Sequence, residues 1–437
     1  MMTDWRGVRH YVRTRSFWRW CYGGSAVAVA VLLGWGLAQR HVAELEPTTQ
    51  TQRSWHLQAT TFDALGAPWH SYQEWQGAWR AFLASCSVRQ RWRLVTQPET
   101  YDFLPVAART PSLWQRLCRQ AEQDVDPQDS QAIRAWLETY LLPYRFVKEG
   151  NKDEGNEGLR GLFTGYFRPI LLGSARRTEQ FPEPIYGVPS DLVVIDSESF
   201  VACEACPPSL VGQLRGRRVV PYPSRGDIMA GAIDGVAPVL AWAQDDIDVF
   251  VLSVQGSGKV RLTDGTTLVL RYAARNGHTY KSLGRILKQR GLLWHEEPIT
   301  WPKLRQWLED NPTKRRSVLA DNPLYIFFEE APDDIGAVGS LGVPLVDGHA
   351  LAVDTRFIPL GLPLWVTTTH PLSTQTWSQL MMAQDTGSAV KGVVRGDIFW
   401  GEGAQAEISA GLMNYQGDYV ILLPNPSAPS VTSTMKK

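Results

Sequence analysis

The sequence predicts a mainly β fold that carries a group of helices towards its N-terminal side. From about residue 160, the chain consists largely of short apolar runs bounded by glycine and proline, which is typical of strands and turns. Residues 259–270 place Asp264-Gly265 between two apolar segments, a pattern that indicates a hairpin. Residues 70–145 instead alternate helical spacing with polar loops. The length of 437 residues suggests two domains of ordinary size with additional segments.

The first 38 residues have the pattern of an export signal or a membrane anchor. Residues 1–20 carry five arginines against one acid, Asp4, and residues 21–38 are uncharged and mostly apolar. Eighteen residues is at the short end for a spanning helix, and the basic flank places the N-terminus in the cytoplasm. Either the segment is a signal peptide cleaved near Ala38 or it remains as an anchor. The rest of the chain is therefore expected on the periplasmic side of the cell envelope.

The elements are expected in a simple order along the chain. Residues 39–59 are polar and are predicted to form a tether. Helices are predicted at 76–85, 112–123, 130–141, 282–290 and 301–309. Strands are predicted at 161–169, 193–195 and 249–255, within 259–270, and again from residue 325. The tail at 424–437 is rich in serine, proline and threonine and is predicted to be disordered.

The balance of charges excludes one class of partner. Lysine plus arginine and aspartate plus glutamate both total 44, so the formal net charge is zero. A protein that binds nucleic acid usually presents a basic surface, so nucleic acid is not expected as a partner. The 18 tryptophans are compatible with a sugar-binding site, but tryptophan also fills cores. The chain is expected to act as a monomer.

The cysteines fit an exported protein. Cys86 and Cys118 lie in two successive predicted helices, and we predict a disulfide between them. Cys203 and Cys206 form a single CxxC, and zinc would need a second pair, so this is a local disulfide or an incidental pair. No metal site and no cofactor is predicted.

Three aspartates in the C-terminal part each end or interrupt an apolar strand. Asp354 follows residues 351–353, Asp385 follows 380–383, and Asp397 lies within 390–399. Beside glycines in an apolar setting, backbone can approach a carboxylate closely and its charged form is poorly solvated. A single aspartate of this kind can simply start a turn. Three in one β-rich segment indicate a site.

Two clusters combine glycine with amide and hydroxyl side chains, at residues 254–258 and 272–280. The Gly-Ser-Gly of the first cluster lacks the Lys-Ser/Thr ending and the following helix of a phosphate loop. Amides and hydroxyls beside aromatic rings suit a neutral polyol ligand such as a glycan. The alternative interpretation is that the clusters are a β-bulge and a turn.

The sequence Asp385-Thr386-Gly387-Ser388 also matches the signature of aspartic proteases. That chemistry needs two aspartates that share a proton, one from each of two such motifs. The chain has one Asp-Thr-Gly, and Gln384 stands where those motifs usually have an apolar residue. A protease is therefore disfavoured.

Taken in order, these motifs resemble the membrane-bound lytic transglycosylase A family. The resemblance covers about 75–423 and rests on the three-aspartate segment together with residues 165–169, 221–228, 250–258 and 272–280. Arg168 departs from the pattern, because that family usually has an acidic residue there, and no role is carried over to it.

The resemblance implies two domains that flank a groove. One would be a six-stranded double-psi β-barrel domain built from residues 60–164 and 325–423, with the N-terminal helices in its first part and the three aspartates in its second. The other would be a smaller β-barrel domain inserted at 165–324. The groove would hold a peptidoglycan glycan strand.

The activity that the resemblance implies is cleavage of the β-1,4 bond between N-acetylmuramic acid and N-acetylglucosamine, which leaves a 1,6-anhydromuramoyl end. The sugar's own C6 hydroxyl is the nucleophile, so one carboxyl group can act first as acid and then as base. Motif position assigns that role to Asp397, with Asp385 and Asp354 as neighbours that raise its pKa. The residues expected to bind substrate are Tyr166, Gln255, Gly256, Ser257, Gly258, Asn276, Gly277 and Tyr280.

The alternative function is a non-catalytic protein that binds peptidoglycan. Double-psi barrels also serve in binding proteins, and a fold does not determine a function. A binding protein needs aromatic and amide side chains in its groove, but it does not need a protonated carboxyl group. Asp397 is therefore the residue that separates the two hypotheses.

Overall fold

A computed structural model describes residues 53–88, 101–149, 158–196, 209–292, 299–332 and 336–429. The predicted anchor at 21–38, Cys203 and Cys206, and the tail beyond residue 429 lie outside these ranges. Within them, no helix is both long enough and apolar enough to cross a bilayer.

The described residues form ten α-helices and seventeen β-strands, which confirms the prediction of a mainly β fold with helices. The helices are α1 (Gly66–His70), α2 (Trp75–Ser87), α3 (Pro111–Asp124), α4 (Ser130–Tyr140), α5 (Arg225–Met229), α6 (Asp246–Gln255), α7 (Leu283–Gln289), α8 (Trp301–Asp310), α9 (Pro312–Ala320) and α10 (Gly403–Leu412). The strands are β1 (Trp55–Ala59), β2 (Leu141–Lys148), β3 (Gly161–Arg168), β4 (Ile170–Ser174), β5 (Glu183–Tyr186), β6 (Leu192–Asp196), β7 (Ser209–Arg215), β8 (Arg218–Pro221), β9 (Val239–Ala243), β10 (Ser257–Leu262), β11 (Thr267–Arg275), β12 (Ile326–Glu330), β13 (Ala350–Val353), β14 (Pro363–Thr369), β15 (Thr376–Asp385), β16 (Arg395–Glu402) and β17 (Asn414–Pro424).

The largest sheet has the order β1-β2-β17-β14-β15-β13-β16-β3, and β17 also pairs with β3. Six strands, β17, β14, β15, β13, β16 and β3, therefore form a closed ring. Two of the pairings, β13 with β15 and β16 with β3, are parallel, and the others in the ring are antiparallel. The ring carries all three of the aspartate-bearing segments that the sequence singles out.

The helices near the N-terminus pack against this ring. The ring centroids of Trp69 and Trp365 lie 5.0 Å apart, and the Gln384 amide donates to the Ala81 carbonyl of α2 at 2.8 Å. A disulfide joins Cys86 of α2 to Cys118 of α3, with 5.5 Å between their Cα atoms, as the sequence predicts. These helices and the ring share one apolar core.

A second sheet has the order β12-β11-β10-β4-β9-β5, and a bridge between Gly187 and Phe328 links its two ends. A third sheet contains β6, β7 and β8. Because β3 belongs to the ring and β12 to the second sheet, the chain leaves the ring after Arg168 and returns to it after Glu330. We propose these two points as the limits of the inserted domain, a few residues later than 165–324.

One predicted strand is wrong, because residues 249–255 form most of helix α6. A short apolar run does not distinguish a buried strand from a buried helix. The distinguishing residues lie at its ends: the Asp245 side chain accepts from the Asp248 N–H at the start, and Gly256 ends the helix with φ of +79°. The tether predicted at 39–59 also needs correction, because its last five residues form β1, where Trp55 is buried.

The disordered tail predicted at 424–437 begins too early, because Pro424 ends β17 and the Asn425 N–H donates to the Tyr140 carbonyl. The remaining predicted helices and strands agree with the structure. The hairpin between β10 and β11 turns at Gly265, whose φ is +88°. Helices predicted at 282–290 and 301–309 correspond to α7 and α8, and the strand predicted at 193–195 lies within β6. Helices α1, α5, α9 and α10 were not predicted from the sequence.

Candidate active site

Four neighbouring strands place the site residues in one row across the ring. Ala352 of β13 pairs with Asp385 of β15 on one side and with Asp397 of β16 on the other. Asp397 in turn pairs with Thr164 of β3. Paired residues on adjacent strands point to the same face, and strands lie about 4.8 Å apart. The two carboxyl groups therefore lie on the strands either side of β13 and share one face of the sheet.

The carboxyl group of Asp397 is held by a chain of two hydrogen bonds. The Thr164 hydroxyl donates to Asp397 Oδ1 at 2.6 Å, and the Arg395 guanidinium donates to the Thr164 oxygen at 2.7 Å. Burial raises the pKa of Asp397 and the charge of Asp385 raises it further, while Arg395 and the hydrogen bond from Thr164 oppose the rise. Burial prevails, so the pKa of Asp397 lies above the ordinary value for aspartate. Such a carboxyl group can serve as a proton donor.

Asp385 is surrounded by groups that donate. The Tyr166 hydroxyl donates to its Oδ2 at 3.0 Å, while the Ser340 hydroxyl and the N–H groups of Ser340 and Thr386 donate to its Oδ1 at 2.7–2.9 Å. A carboxylate without a proton accepts from all of these donors at once. Burial raises the pKa of the Tyr166 hydroxyl well above its ordinary value, with Asp385 and Asp397 adding to the rise, so this hydroxyl keeps its proton.

Asp354 is bound by Arg356 and the Gly392 backbone, and these contacts do not match its predicted role. It is 2% exposed and is bound by Arg356, whose Nη2 lies 2.6 Å from its Oδ2, and by the Gly392 N–H at 2.8 Å. Burial raises its pKa, but the hydrogen bonds from Arg356 and Gly392 outweigh burial and leave the pKa lowered. Asp354 therefore fixes the loop between β15 and β16. The prediction that it raises the pKa of Asp397 is not supported; that effect comes from Asp385.

A groove of about 600 Å³ adjoins the row of site residues. Thr164, the partner of Asp397, lies in its wall, and across from β3 the wall is formed by the end of α6, by Tyr280 and by α7 and α8. Burial raises the pKa of the Tyr280 hydroxyl, an effect that Arg225 opposes and the charge of Asp397 strengthens. The ring, through β3, and the inserted segment, through α6, α7 and α8, therefore both contribute to one groove.

The first polar cluster lies partly in this groove. Gln255 is in the groove wall, where its side-chain oxygen accepts from the Phe167 N–H of β3 at 2.9 Å. Gly256 is the left-handed residue that ends α6, and Ser257 begins β10. Gly258 has a packing role, because a Cβ there would lie 2.4 Å from the Leu252 side chain.

The second cluster separates into one groove residue and two structural ones. Tyr280 lines the groove, but Asn276 is 1% exposed. Its amide nitrogen donates to the carbonyls of Pro223 and Pro323, and its amide oxygen accepts from the N–H groups of Tyr325 and His278. The side chain therefore has no donor or acceptor position left for a ligand. Gly277 has φ of +81°, and a Cβ there would meet β7. For these two residues the geometry favours the alternative interpretation, a turn that holds the inserted domain.

Arg168, which departs from the family pattern, has an ion-pair partner in β16, the strand beside β3 in the ring. Its guanidinium donates to Glu402 at 2.7 Å, and Lys259 lies 3.1 Å from the other oxygen of the same carboxylate.

Thr164 and Arg395 are the site residues that the sequence reasoning missed. Arg395 lies two positions before Asp397 and so on the same face of β16, which is the one signal that could have indicated it. Within the described ranges, no group of three histidine, cysteine or acidic side chains could hold a metal ion.

The chain is similar to known proteins over most of its length. The MltA specific insert domain matches residues 162–329, and the 3D domain matches residues 349–423. The membrane-bound lytic murein transglycosylase A of Escherichia coli strain K12 is 32% identical over 293 residues, which cover 65% of this chain and 70% of that protein.

Two solved structures extend the comparison. The crystal structure of a membrane-bound lytic murein transglycosylase from Agrobacterium tumefaciens superposes with a TM-score of 0.69 at 30% identity, covering 84% of this chain and 98% of that one. The crystal structure of Escherichia coli MltA with bound chitohexaose gives a TM-score of 0.58 at 25% identity, covering 88% of this chain and 98% of that one.

Proposed function

The chain belongs to the membrane-bound lytic murein transglycosylase A family, and from that premise we propose that it cleaves peptidoglycan glycan strands on the periplasmic side of the cell envelope. The bond cleaved is the β-1,4 bond between N-acetylmuramic acid and N-acetylglucosamine, and the product carries a 1,6-anhydromuramoyl end. One observation carries the proposal: a half-buried carboxyl group with a raised pKa, Asp397, lies beside a groove of about 600 Å³. The bound chitohexaose of the Escherichia coli relative supports a glycan as the ligand.

The reaction needs one carboxyl group because the sugar supplies its own nucleophile. Asp397 gives its proton to the glycosidic oxygen as the bond from that oxygen to C1 of N-acetylmuramic acid breaks. The C6 hydroxyl of the same sugar then bonds to C1, and its proton returns to the Asp397 carboxylate. No water is consumed, and Asp397 ends the cycle protonated, as it began.

The neighbours of Asp397 set its protonation and position. The Thr164 hydroxyl orients Oδ1, and Arg395 holds Thr164 in place. The Asp385 carboxyl group accepts hydrogen bonds from the donors around it, and its charge favours the protonated form of Asp397 before the reaction. The same charge can stabilise the positive charge that develops on the sugar ring in the transition state.

We place the sugar along the groove between β3 and the inserted domain. Gln255 and Ser257 offer neutral hydrogen-bonding groups for N-acetyl and hydroxyl substituents, and Tyr280 offers a ring face. Gly256 has no side chain, and open space surrounds the position where a Cβ would lie, so backbone can approach the glycan there. Asn276 and Gly277 hold the turn before Tyr280, and Gly258 packs against Leu252.

The Asp397→Asn variant tests this function. An amide cannot donate a proton as an acid does, so release of anhydro-muropeptides from purified sacculi should fall by several orders of magnitude. Asp418→Asn is the matched control, because Asp418 is another partly buried aspartate of the ring whose pKa burial raises, and it faces Arg160 and Arg145 instead of the groove. The control variant should cleave sacculi as the wild type does.

The same assay decides between an enzyme and a binding protein. Substantial residual cleavage by Asp397→Asn would remove Asp397 from the mechanism. A wild-type protein that binds sacculi but releases no anhydro-muropeptides would be a non-catalytic peptidoglycan-binding protein.

A further inference from the structure

A second cavity, of about 250 Å³, lies in the inserted segment on a different face of α6 from the groove. Asp246 and Val249 of α6 line this cavity, whereas Phe250, Val254 and Gln255 line the groove. No residue lines both. We call the second one the Arg225 cavity, after the buried arginine in its wall.

Arg225 is a buried cation without a matching anion. Its side chain is 2% exposed, and its Nε donates to the Leu324 carbonyl at 3.0 Å. The guanidinium carbon lies 5.0 Å from the ring centroid of Phe250 and 4.9 Å from that of Tyr325. Among the described residues, no carboxylate forms an ion pair with it, and its terminal nitrogens have no hydrogen-bond acceptor. Burial lowers the pKa of Arg225 to about 10, so it is still charged at neutral pH.

An isolated buried charge is costly, because the group has lost its water and gained no counter-charge. The two rings recover part of that cost through cation–π contacts. The terminal nitrogens of a guanidinium form a fork that matches the two oxygens of a carboxylate. A carboxylate that enters the cavity would therefore supply the anion that Arg225 lacks.

The remaining charges of the cavity define the rest of the ligand. Two of its acids already have cationic partners: Glu183 lies 3.0 Å from Arg316, and Asp246 lies 2.7 Å from Arg315. Asp234, by contrast, is exposed and accepts a hydrogen bond from the neutral Tyr186 hydroxyl at 2.8 Å.

One more cation lies in the same wall. Arg177 is exposed and stacks over the Trp242 ring at 5.6 Å, without an ion pair to a described carboxylate. The charges of the cavity that lack an opposite partner are therefore two arginines, Arg225 and Arg177, and one acid, Asp234. Their complement is a ligand with two carboxylates and one ammonium group.

We propose that the Arg225 cavity binds the carboxylate end of a short peptide that also carries a free ammonium group. The volume is below that of pockets for drug-sized ligands, which suits one or two amino-acid residues. If the protein acts on peptidoglycan, the source is the peptide stem of that polymer, whose diaminopimelate and terminal alanine present these groups. This choice of source rests on the proposed function, whereas the carboxylate site does not.

Calorimetric titration of the full chain with the free tetrapeptide alanyl-γ-glutamyl-diaminopimelyl-alanine tests the proposal. The wild type should bind it, and the same peptide with its carboxyl groups amidated should bind at least about tenfold more weakly, since a charge-assisted pair is lost. Arg225→Met should lose binding by a similar factor. Arg271→Met is the matched control, because Arg271 pairs with Glu329 on the surface of the second sheet and does not line the cavity. Its affinity should equal that of the wild type.

Thermal unfolding of the same samples separates a ligand site from a structural arginine. Methionine keeps the apolar stem and removes the isolated charge, so Arg225→Met should melt at the same temperature as the wild type or higher. A lower melting temperature together with unchanged peptide affinity would overturn the proposal, and so would a wild type that does not bind the tetrapeptide. If Arg225→Met fails to fold, Asp234→Asn decides: it should bind the tetrapeptide several-fold more weakly, and equal affinity would reject the site.

Two further arms separate the source from the site. An all-L tetrapeptide of the same charge that binds as tightly as the stem would keep the carboxylate site and reject the stem as its source. Peptide binding by a protein that does not cleave sacculi would reject the proposed function and keep the cavity. Cleavage of sacculi by a protein that does not bind the peptide would keep the proposed function and reject the cavity as a peptide site.

Discussion

In a Thr164→Val variant, Asp397 loses the hydroxyl that donates to its Oδ1 at 2.6 Å. Valine has nearly the shape of threonine and suits a strand, so β3 should retain its pairing with β16. The lost hydrogen bond favours the charged carboxylate, as does the nearby Arg395. Its removal should therefore raise the pKa of Asp397 further above the ordinary value.

The size of the effect follows from the type of bond. A hydrogen bond to a charged group contributes about 1.5–3 kcal/mol, and about 1.4 kcal/mol corresponds to a factor of ten in a binding constant. Asp397 is half-buried rather than fully buried, so the lower end of that range applies. The affinity of Asp397 for its proton should therefore increase roughly tenfold.

The assay is the pH dependence of kcat/KM for the release of anhydro-muropeptides, with each protein normalised to its own maximum. In the proposed mechanism cleavage needs protonated Asp397, so the rate should fall as the pH rises through the pKa of this residue, and in Thr164→Val that fall should occur at higher pH. Thr367→Val is the control, because the Thr367 hydroxyl bonds to Ser378 on the same ring at 3.0 Å, and Thr367 pairs with Ser378 and Asp418 rather than with Asp397 or Asp385. An unmoved or downward-shifted alkaline limb in Thr164→Val would refute the role given to this hydrogen bond.

Three other outcomes are expected. Because the pKa of Asp397 is raised in the folded state, the wild type loses stability as the pH rises through that pKa, whereas the uncharged Asn variant does not. Asp397→Asn should therefore unfold at a higher urea concentration than the wild type at about pH 7, and the difference should disappear at about pH 3. Replacing Cys86 and Cys118 by serine should cost about 3–4 kcal/mol for a loop of this length, and added reductant should then leave the urea midpoint unchanged. Asn276→Ala should lower the melting temperature while glycan affinity per folded molecule stays the same. Gln255→Ala should weaken glycan binding several-fold without a change in melting temperature. If Asn276→Ala instead weakens binding and Gln255→Ala lowers the melting temperature, the roles given to the two residues are exchanged.

Local chemistry was sufficient for much of the fold. The hairpin at Asp264-Gly265 follows from a left-handed turn that glycine accepts, and the strand that ends at Asp385 follows from an apolar run and the glycines after it. The disulfide between Cys86 and Cys118 was predictable because each cysteine lies in a helix whose spacing is visible in the sequence. Such signals act within a few residues, so no knowledge of distant contacts is needed.

The error at residues 249–255 shows where local patterns fail. Six of the ten residues of α6 are apolar and four of them are consecutive, so neither the helical nor the strand period is visible in the run itself. The capping residues Asp245 and Gly256 carry the helix signal, and each of them is also compatible with a strand end. The buried environment, which only tertiary packing creates, decided between helix and strand.

The sequence alone also identified the family, the aspartates and the groove residues Gln255 and Tyr280, because each of these is recognisable by its type and its neighbours. Motif position proposed Asp397 as the acid, but the sequence did not show which carboxyl group has a raised pKa or which polar side chain is free to bind a ligand. Thr164 lies 233 residues from Asp397 in the chain and 2.6 Å from it in the fold. A pKa depends on burial and on charges within a few ångströms, and strand pairing at such separations sets both. The tertiary structure therefore gave Asp397 its raised pKa, tied Asp354 to Arg356, filled the hydrogen bonds of Asn276 and left Arg225 without an anion.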